Sequence, residues 1–326
     1  MSKNVAVLMG GYSTEYEISI QSGTTVMNAL DTQKYTPYAV HILKDKWVCI
    51  YENEEFYMDM GEFSVLLPFG KVYFDVCYNT IHGTPGEDGE IQAYLKIMGI
   101  PQTSCDFYQS ALTFNKRDTL SVLRPYGIDM AQSVYVNKGD VVDDAFAKAI
   151  KERIQFPCFV KPNRAGSSFG ISKIYNEKGF VPALEKAFAE DNEVLIESFL
   201  SGTEVSVGVC TYQGKTKVLP VCEIVSENDF FDYQAKYEGK SQEIVPARLS
   251  DNQTQSVQSL TGAIYEVLKL KGICRIDFIF HNGKPHFVEV NSNPGLSPES
   301  IIPRQAKAAG ISLTDLLGSA IESAMG

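Results

Sequence analysis

The first feature that this sequence lacks is a long apolar segment. Hydrophobic residues make up 44% of the 326 positions, yet no run approaches the roughly 20 residues that a helix needs to cross a bilayer. A secretory signal is missing as well, because Met1-Ser-Lys-Asn4 leads directly into a predicted strand. We therefore expect a globular protein without a membrane partner.

Paired cysteines are also missing. The seven cysteines are odd in number, and none belongs to a Cys-x-x-Cys motif. Four of them lie in apolar, strand-like runs, where a free thiol packs as a small hydrophobic group: Cys49, Cys77, Cys158 and Cys210. We expect no disulfide framework and a reducing compartment, which predicts a cytoplasmic location.

Positive charge is scarce. Lysine and arginine number 29 against 40 aspartates and glutamates, for a formal net charge of -11. Because affinity for nucleic acid depends on basic patches, this balance argues against a nucleic-acid partner. It leaves a nucleotide ligand open, since a few local cations and backbone N–H groups can hold phosphate.

The length fits two or three subdomains better than one core. We expect a mixed α/β and α+β fold, with an open α/β domain at 1–103, a central domain at 104–200 and a C-terminal domain at 201–326. Hydrophobic periodicity predicts strands and helices. The strands are 5–9, 38–43, 47–51, 72–78, 156–161, 171–175, 194–198, 204–212 and 217–225, and the helices are 18–30, 89–98, 110–126, 181–189, 254–270, 301–309 and 313–320.

The most informative segment is a predicted β-hairpin near the C-terminus. Asp277 lies in its first strand, and Glu289 and Asn291 lie in its second. Three oxygen ligands of this kind suit Mg²⁺, which takes few ligands from a protein and completes its shell with phosphate and water. The alternative is an edge hairpin with scattered surface charge.

The register of this hairpin decides whether the ligands meet. A two-residue Asn-Gly turn would pair Asp277 with Val288 and send Glu289 to the other face. A three-residue loop over 282–284 pairs Asp277 with Glu289 and Arg275 with Asn291. We favour the three-residue loop, because it gathers every polar group of both strands on one face.

A glycine-rich loop, Lys161-Pro-Asn-Arg-Ala-Gly-Ser-Ser-Phe-Gly170, lies between two predicted strands. It does not match the Walker pattern, which opens a helix. Its backbone N–H groups can still fold over phosphates, with Lys161 ending the incoming strand. A plain glycine-rich hairpin is the alternative, and the downstream magnesium hairpin favours the phosphate interpretation.

Two further loops follow strands of the first domain. Gly10-Gly-Tyr-Ser-Thr-Glu15 lacks the spacing of a dinucleotide-binding fingerprint, and Glu15 can simply complement a helix dipole. His82-Gly-Thr-Pro-Gly-Glu-Asp-Gly89 lies at the expected sheet edge, where α/β proteins bind ligands. A lone histidine such as His82 is more often structural than catalytic.

Seven segments in order and spacing resemble the ATP-grasp superfamily and, within it, the D-alanine–D-alanine ligases. The likeness runs from Val5 to about Leu317. The segments are Gly10–Ser19, His82–Gly89, Lys161–Gly170, Glu197–Leu200 with Glu204, Asp232–Tyr237, Arg275–Asp277 and Glu289–Gly295.

The resemblance implies an ATP-grasp fold and a ligase that joins two D-alanines through an acyl phosphate for peptidoglycan synthesis. It implies ATP and two Mg²⁺ or Mn²⁺ ions as cofactors, and a homodimer. Its implied metal ligands are Asp277, Glu289 and Asn291, with Glu289 bridging the ions. Its implied ATP contacts are Lys116 and Lys161 at the phosphates, Ser198, Phe199 and Leu200 at adenine, Glu204 at the ribose, and Ser167, Ser168, Glu197 and Lys236.

The resemblance also implies a set of substrate and catalytic residues. Glu15 would hold the ammonium of the first D-alanine and share a hydrogen-bonded set with Ser167 and Tyr237. Arg275 and Ser300 would hold the carboxylate of the second, because the arginine fork matches a carboxylate. His82 would contact substrate, and Gly295 with Arg275 would stabilise the oxyanion.

The segment 226–245 is polar yet carries four aromatics in eight residues, which favours a lid that orders over a ligand rather than a mobile surface loop. Three departures from the common family pattern occur: Ala165 stands where Glu is usual, Phe199 where Trp is common, and Ser292-Asn293 where Thr-Ser is usual. None of the three removes a metal ligand.

Two other functions remain open at this point. The same fold could use D-lactate or D-serine as acceptor; Tyr237 argues against D-lactate, whereas D-serine is harder to exclude. The chain could also be a non-catalytic ATP-binding module. The intact residues that argue against this function are Asp277, Glu289, Asn291, Lys161 and Arg275.

Overall fold

The structure is a computed structural model that describes residues 2–166, 168–226 and 241–326. Its first sheet has seven strands, of which β1, β2 and β7 run parallel and the others antiparallel. The strands are β1 (Lys3–Gly10), β2 (Tyr35–Ile42), β3 (Trp47–Tyr51), β4 (Glu54–Asp59), β5 (Ser64–Leu67), β6 (Gly70–Tyr73) and β7 (Val76–Asn79), in the order β6-β5-β4-β3-β2-β1-β7. The apolar run of β1 is buried on both faces, so this strand lies inside the sheet.

Two antiparallel sheets follow along the chain. The second contains β8 (Ser133–Asn137), β9 (Cys158–Pro162), β10 (Ser172–Ile174) and β11 (Glu193–Ser198), in the order β10-β9-β11-β8. The third contains β12 (Gly202–Tyr212), β13 (Lys215–Val218), β14 (Cys222–Ser226), β15 (Ser241–Ile244), β16 (Ile273–His281) and β17 (Lys284–Asn291). Its order is β15-β14-β12-β16-β17, with β13 paired to β12.

Nine α-helices lie in the described ranges. They are α1 (Tyr16–Ala29), α2 (Glu90–Ile97), α3 (Phe107–Phe114), α4 (Lys116–Leu123), α5 (Asp144–Ile154), α6 (Phe180–Phe188), α7 (Asp251–Val267), α8 (Ile301–Ala308) and α9 (Leu313–Met325). Short 3-10 turns occupy Arg124–Tyr126 and Glu177–Gly179. Within these ranges, no helix combines the length and the apolar character that a bilayer crossing requires.

The hydrophobic core joins the first and third sheets. Val5, Val7 and Met9 of β1 belong to one buried cluster with Ile302 of α8 and Leu316 of α9. The second sheet has a core of its own with α5 and α6, and α4 and α7 pack on the third sheet. The loops that end β7 and β17 are thereby brought to one place.

The helix predicted over 110–126 is wrong as a single element. Asn115 has an extended ψ of 101° and caps a new helix, its side chain accepting a hydrogen bond from the Asp118 N–H. Asn163 holds this break, because its carbonyl accepts from the Lys116 N–H and its side-chain oxygen from the Arg117 N–H. The break places Lys116 in the first turn of α4, beside the glycine-rich loop.

The predicted pairing of Asp277 with Glu289 and of Arg275 with Asn291 is confirmed, but the predicted three-residue loop is wrong. His281 pairs with Lys284, so the turn has two residues. Both residues of this Asn-Gly turn have positive φ, 51° and 78°, as the twist of a hairpin favours. Phe278 faces Phe287, whereas Asp277 faces Glu289. A β-bulge at Val288, the residue between Phe287 and Glu289, therefore restores the register.

Two predicted strands are broken. The segment 72–78 divides because Asp75 turns the chain, its carboxylate accepting from the Asn4 N–H at 2.8 Å. The segment 217–225 divides at Pro220, which has no N–H to donate to a ladder. The sequence patterns also missed several elements: β4, β5, β8, β15 and α5.

Gly272 marks the approach of the loop before β16 to the first sheet and yields a stability prediction. Its φ is +65°, and an added Cβ would lie 2.0 Å from the Thr103 carbonyl oxygen. Gly99 has a similar φ of +70° with nothing within 4 Å. We expect Gly99→Ala to cost about 1 kcal/mol of the free energy of unfolding, from positive φ alone, and Gly272→Ala roughly 3 kcal/mol or more. Urea unfolding measures both, and equal losses would contradict the close approach.

Candidate active site

A cavity of about 310 Å³ lies where the first and third sheets meet. It is lined by all five residues predicted to contact substrate: Glu15, His82, Arg275, Gly295 and Ser300. Glu15 precedes α1, His82 follows β7, Arg275 lies on β16, and the other two lie between β17 and α8. Three segments far apart in sequence thus build one concave site, the usual form of a small-molecule pocket.

Hydrogen bonds fix these segments to one another. The Asn293 side-chain amide donates to the Ile81 carbonyl at 2.8 Å. Ser22 of α1 accepts from the Leu296 N–H at 3.2 Å and lies 3.4 Å from His82 Nε2. The histidine, α1 and the loop after β17 therefore hold one another in place.

The hairpin brings the predicted metal ligands together. Asp277 and Glu289 lie directly opposite on neighbouring strands, and Asn291 Nδ2 donates to Asp277 Oδ2 at 3.0 Å. Arg275 grips both oxygens of Asp277 at 2.9 Å, and Ser206 donates to Oδ1 at 2.6 Å. The described residues contain no group of three or more His, Cys, Asp or Glu side chains that could hold a metal ion; the predicted set consists of two carboxylates and one amide.

The two predicted phosphate-binding lysines are each paired with a carboxylate. Lys116 Nζ lies 3.3 Å from Glu289 and donates to the Ala165 carbonyl at 2.9 Å. Lys161 Nζ lies 2.6 Å from Glu197, with both side chains largely buried. Burial alone would lower the pKa of Lys161, but Glu197, Glu289 and Glu204 together raise it, so the lysine stays charged.

The predicted adenine contacts lie at the end of β11. The Ser198 N–H donates to the Gln132 carbonyl at 2.9 Å, and its hydroxyl accepts from the Gln132 N–H. The Phe199 ring stands 6.1 Å from the Phe159 ring and 4.2 Å from Lys173 Nζ. Leu200 precedes β12, and Glu204 lies within it. An aromatic wall beside Lys161 is therefore present.

Comparison with known proteins decides the family. Models described as D-ala D-ala ligase N-terminus and C-terminus match residues 4–105 and 122–322. The D-alanine–D-alanine ligase of Flavobacterium johnsoniae is 58% identical over 98% of both chains. That of Christiangramia forsetii is 55% identical over 100% of this chain and 99% of its own. This chain belongs to the D-alanine–D-alanine ligase family.

Solved structures agree with this assignment. The VanG D-Ala:D-Ser ligase from Enterococcus faecalis has a TM-score of 0.88 at 30% identity and covers 99% of both chains. The D-alanine–D-alanine ligase from Bacillus anthracis complexed with ATP has a TM-score of 0.78 at 26% identity, covering 99% of this chain and 98% of its own. The family and the ATP-grasp fold predicted from the sequence are thereby confirmed, as is the enzyme class.

Three residues at the departures from the common family pattern lie in local contacts of this ligase. Asn293 donates the side-chain hydrogen bond to the Ile81 carbonyl described above. At Ala165 the backbone carbonyl receives Lys116, so this contact does not depend on the side chain. Phe199 keeps an aromatic ring between Phe159 and Lys173.

Some predicted site residues lie outside the described residues of this ligase. They are Ser167, Lys236 and Tyr237, together with most of the predicted lid. Ser168 is described and has a positive φ of 60° at the tip of the glycine-rich loop. In the same loop, a Cβ on Gly166 would lie 2.5 Å from Glu15 Oε2, so the loop closes against Glu15.

Sequence reasoning missed three carboxylates that line the cavity: Glu87, Glu243 and Glu299. Glu87 belongs to the segment His82–Gly89 after β7. Its spacing of four residues from Gly83 was a usable sequence signal, because the Gly83 N–H donates to the Glu87 carboxylate at 2.7 Å. Glu243 had no such signal, although it lies within the segment 226–245 that was predicted to be a lid. Burial raises the pKa of Glu243 despite the nearby Arg304 guanidinium.

The electrostatics of the cavity differ from those of a solvated surface. Burial lowers the pKa of His82, Glu15 opposes this shift, and Arg275 adds to it. Burial also raises the pKa of Glu87 to about 8, with a further rise from Glu15 and opposition from the Gly83 N–H and Arg275. His82 is therefore neutral and Glu87 largely protonated near pH 7 in the ligand-free enzyme.

The Glu87 pKa predicts a pH dependence of stability. A carboxyl whose pKa rises on folding, here from 4.5 to about 8, binds its proton more tightly in the folded chain, so stability falls as the pH rises through that window. Between about pH 5 and pH 9, we expect Glu87→Gln to remove on the order of 2 kcal/mol of the fall in unfolding free energy. Urea unfolding without metal or ATP measures it, with the exposed Glu185→Gln as control. Parallel profiles for wild type and Glu87→Gln would refute the shift.

Proposed function

We propose that this chain joins two D-alanines into D-alanyl-D-alanine, converting ATP to ADP and phosphate, for the synthesis of peptidoglycan precursors. The observation that carries the proposal is the single cavity in which Glu15 and Arg275 stand at a hairpin carrying Asp277 and Glu289. The proposed ammonium, carboxylate and phosphate sites would thus be adjacent, as ligation of an amino acid requires. Family membership supports the same reaction.

The residues at the nucleotide end fit ATP with a hard cation. Lys116 and Lys161 would contact phosphates, Ser198 to Leu200 adenine, and Glu204 the ribose. Two carboxylates and an amide oxygen are the donor chemistry that Mg²⁺ or Mn²⁺ prefers. Asp277, Glu289 and Asn291 would hold two such ions, with Glu289 between them. Bound there, the ions would neutralise charge on the transferred phosphoryl group.

In the first half-reaction, Glu15 would hold the ammonium of the first D-alanine. The carboxylate of that D-alanine attacks the γ-phosphorus, the bond to the β,γ-bridging oxygen breaks, and ADP leaves. An acyl phosphate remains in the cavity. Because hydrolysis would waste this acyl phosphate, the site must exclude water.

In the second half-reaction, Arg275 and Ser300 would hold the carboxylate of the second D-alanine. Its neutral amine attacks the acyl carbonyl, and a tetrahedral oxyanion forms. The backbone N–H near Gly295 and the Arg275 guanidinium can stabilise that charge. Collapse forms the amide bond and expels phosphate, and the nitrogen loses its extra proton.

Further parts of the proposal rest on the family resemblance. Ser167 and Tyr237 would join Glu15 in a hydrogen-bonded set, and Lys236 would contact ATP from the lid. The divisions 1–103, 104–200 and 201–326 would act as substrate, central and C-terminal domains. A homodimer, a cytoplasmic location and the absence of nucleic-acid and membrane partners complete the proposal.

A second candidate function differs only in the acceptor. The similarity to a D-Ala:D-Ser ligase structure keeps D-serine in view. Phosphate release with ATP and Mg²⁺ distinguishes the two, when D-alanine, L-alanine, D-serine and D-lactate are supplied separately and D-serine is also supplied together with D-alanine. We expect release with D-alanine alone and identification of D-alanyl-D-alanine by mass spectrometry. Mixed dipeptide as the main product would favour the D-serine function, and no release with any substrate would overturn the proposal.

The metal assignment predicts the behaviour of Glu289→Gln. One carboxylate is proposed to bridge both ions, so its neutral amide should fold normally yet lose roughly 100-fold or more of the phosphate release rate, as expected when several kcal/mol of transition-state charge stabilisation are lost. Steady-state phosphate release measures the loss, and thermal unfolding checks the fold. The matched control is Glu266→Gln, in α7, which packs on the same sheet. Turnover near that of the wild type would refute the two-metal assignment.

A further inference from the structure

Helix α8 begins directly after Ser300, the residue proposed to bind the acceptor carboxylate, and one turn later Arg304 reaches across to β15. Arg304 Nη1 donates to Glu243 Oε2 at 2.8 Å, and Nη2 donates to the main-chain carbonyl of the same residue. One guanidinium therefore holds both the side chain and the backbone of Glu243. This arrangement fixes a distance and an orientation, which a flexible lysine would not do.

Glu243 lines the substrate cavity together with Arg275 and Ser300, whereas Arg304 is not part of the cavity wall. Ile301, between Ser300 and Arg304, is buried against Cys222 and Ile224 of β14. The acceptor end of the cavity thus has a wall in which the first turn of α8 and the edge strand β15 meet. The Arg304–Glu243 pair connects the two halves of this wall.

The next residue of α8 fixes the opposite side of the helix. Gln305 accepts from the Gly208 N–H at 3.1 Å and donates to the Ser206 carbonyl at 2.9 Å, both on β12. Adjacent side chains therefore attach α8 to the centre of the third sheet and to its edge. Ser300 occupies the N-cap position of α8, but its side chain makes no capping hydrogen bond. Its hydroxyl lies 2.8 Å from the Ser297 hydroxyl. The position of Ser300 consequently depends on how α8 is held.

We propose that Arg304 and Glu243 are positioning residues for the acceptor amino acid. The pair sets the start of α8, and with it Ser300, relative to Arg275, and it touches none of the reacting atoms. The proposal rests on the proposed ligase function, since it concerns the second of its two substrates. The Arg304 side chain is 37% exposed, so the pair contributes little to stability; small displacements at a reaction site nevertheless cost much in rate.

Two half-reactions separate this role from a general structural one. Hydroxylamine is a small neutral amine that attacks an acyl phosphate, forming a hydroxamate and releasing phosphate, and it needs no carboxylate site. With ATP, Mg²⁺ and D-alanine filling the nucleotide and donor sites, and with hydroxylamine in sufficient excess to outcompete the second D-alanine, hydroxamate therefore reports formation of the acyl phosphate independently of the acceptor site. Dipeptide formation at varied D-alanine reports the acceptor KM.

The variants are Arg304→Ala, Glu243→Gln, Arg304→Lys and the double variant Arg304→Ala with Glu243→Gln. Loss of a hydrogen bond to a charged group corresponds to about tenfold, so we expect the acceptor KM to rise about tenfold in Arg304→Ala. The acceptor KM should rise less in Glu243→Gln, because the hydrogen bond to the main-chain carbonyl remains. Arg304→Lys should give an intermediate acceptor KM. The double variant should match Arg304→Ala, because both changes disrupt one pair. Lys307→Ala, exposed on the same helix, is the control and should behave as the wild type.

The KM for ATP and the hydroxamate rate should stay within about twofold of the wild type if only the acceptor site moves. Equal losses in hydroxamate and dipeptide would overturn the positioning role, as would an unchanged acceptor KM in Arg304→Ala. Additive effects in the double variant would overturn the pairing. If Arg304→Ala does not fold, Arg304→Lys and Glu243→Gln carry the same comparison. No hydroxamate and no dipeptide from the unaltered chain would overturn the ligase function itself.

Discussion

The candidate active site depends on charge compensation. Two carboxylates face each other, and the cations that reach them offset their repulsion. Asp277 and Glu289 are directly opposed across an antiparallel pair, where like charges destabilise a sheet. Arg275 grips Asp277 with two nitrogens from the same strand, and Lys116 approaches Glu289 from α4. Removing either cation would leave the repulsion between these partly buried carboxylates less compensated, which costs more than the pair contributes. A separate helix therefore delivers one of the charges that stabilise the hairpin.

This requirement explains features of the fold that lie away from the hairpin. Lys116 can reach Glu289 because the chain leaves α3 and starts α4 at Asn115, and Asn163 holds that break from the glycine-rich loop. The same loop receives Lys116 on the Ala165 carbonyl and closes against Glu15 at Gly166. The loop between β9 and β10 thus links the proposed phosphate site to the proposed ammonium site. Such preorganisation is what phosphoryl transfer requires, because positioning and charge neutralisation supply most of its catalysis.

The sequence predicted the chemistry of the hairpin better than its geometry. Residue types and alternation were enough to place Asp277 opposite Glu289, because one polar face and one apolar face allow few registers. The bulge was not predictable from alternation, since an extra residue and a longer loop give the same pairing at the site. The helix break at Asn115 was missed for a related reason: its cause is a hydrogen bond from Asn163, which is distant in sequence. Glu243 and Arg304 were missed because no local sequence pattern indicates a pair of residues that are 61 positions apart. The family segments predicted the remaining site residues, and the folded chain shows which of the described ones lie together.

An acidic protein can hold a nucleotide because charge acts locally. The net charge of -11 is spread over 326 residues, and salt screens exposed charges beyond about 8 Å at physiological ionic strength. At the site itself each cation stands against a carboxylate: Lys161 with Glu197, Lys116 with Glu289 and Arg275 with Asp277. These carboxylates keep the cations charged and oriented in a site where burial alone would discharge a lysine. The surplus of acidic residues thus includes the groups that make phosphate binding feasible. Composition argued against a long nucleic-acid surface and gave no information about a pocket, because a pocket needs only a few cations held in the right places.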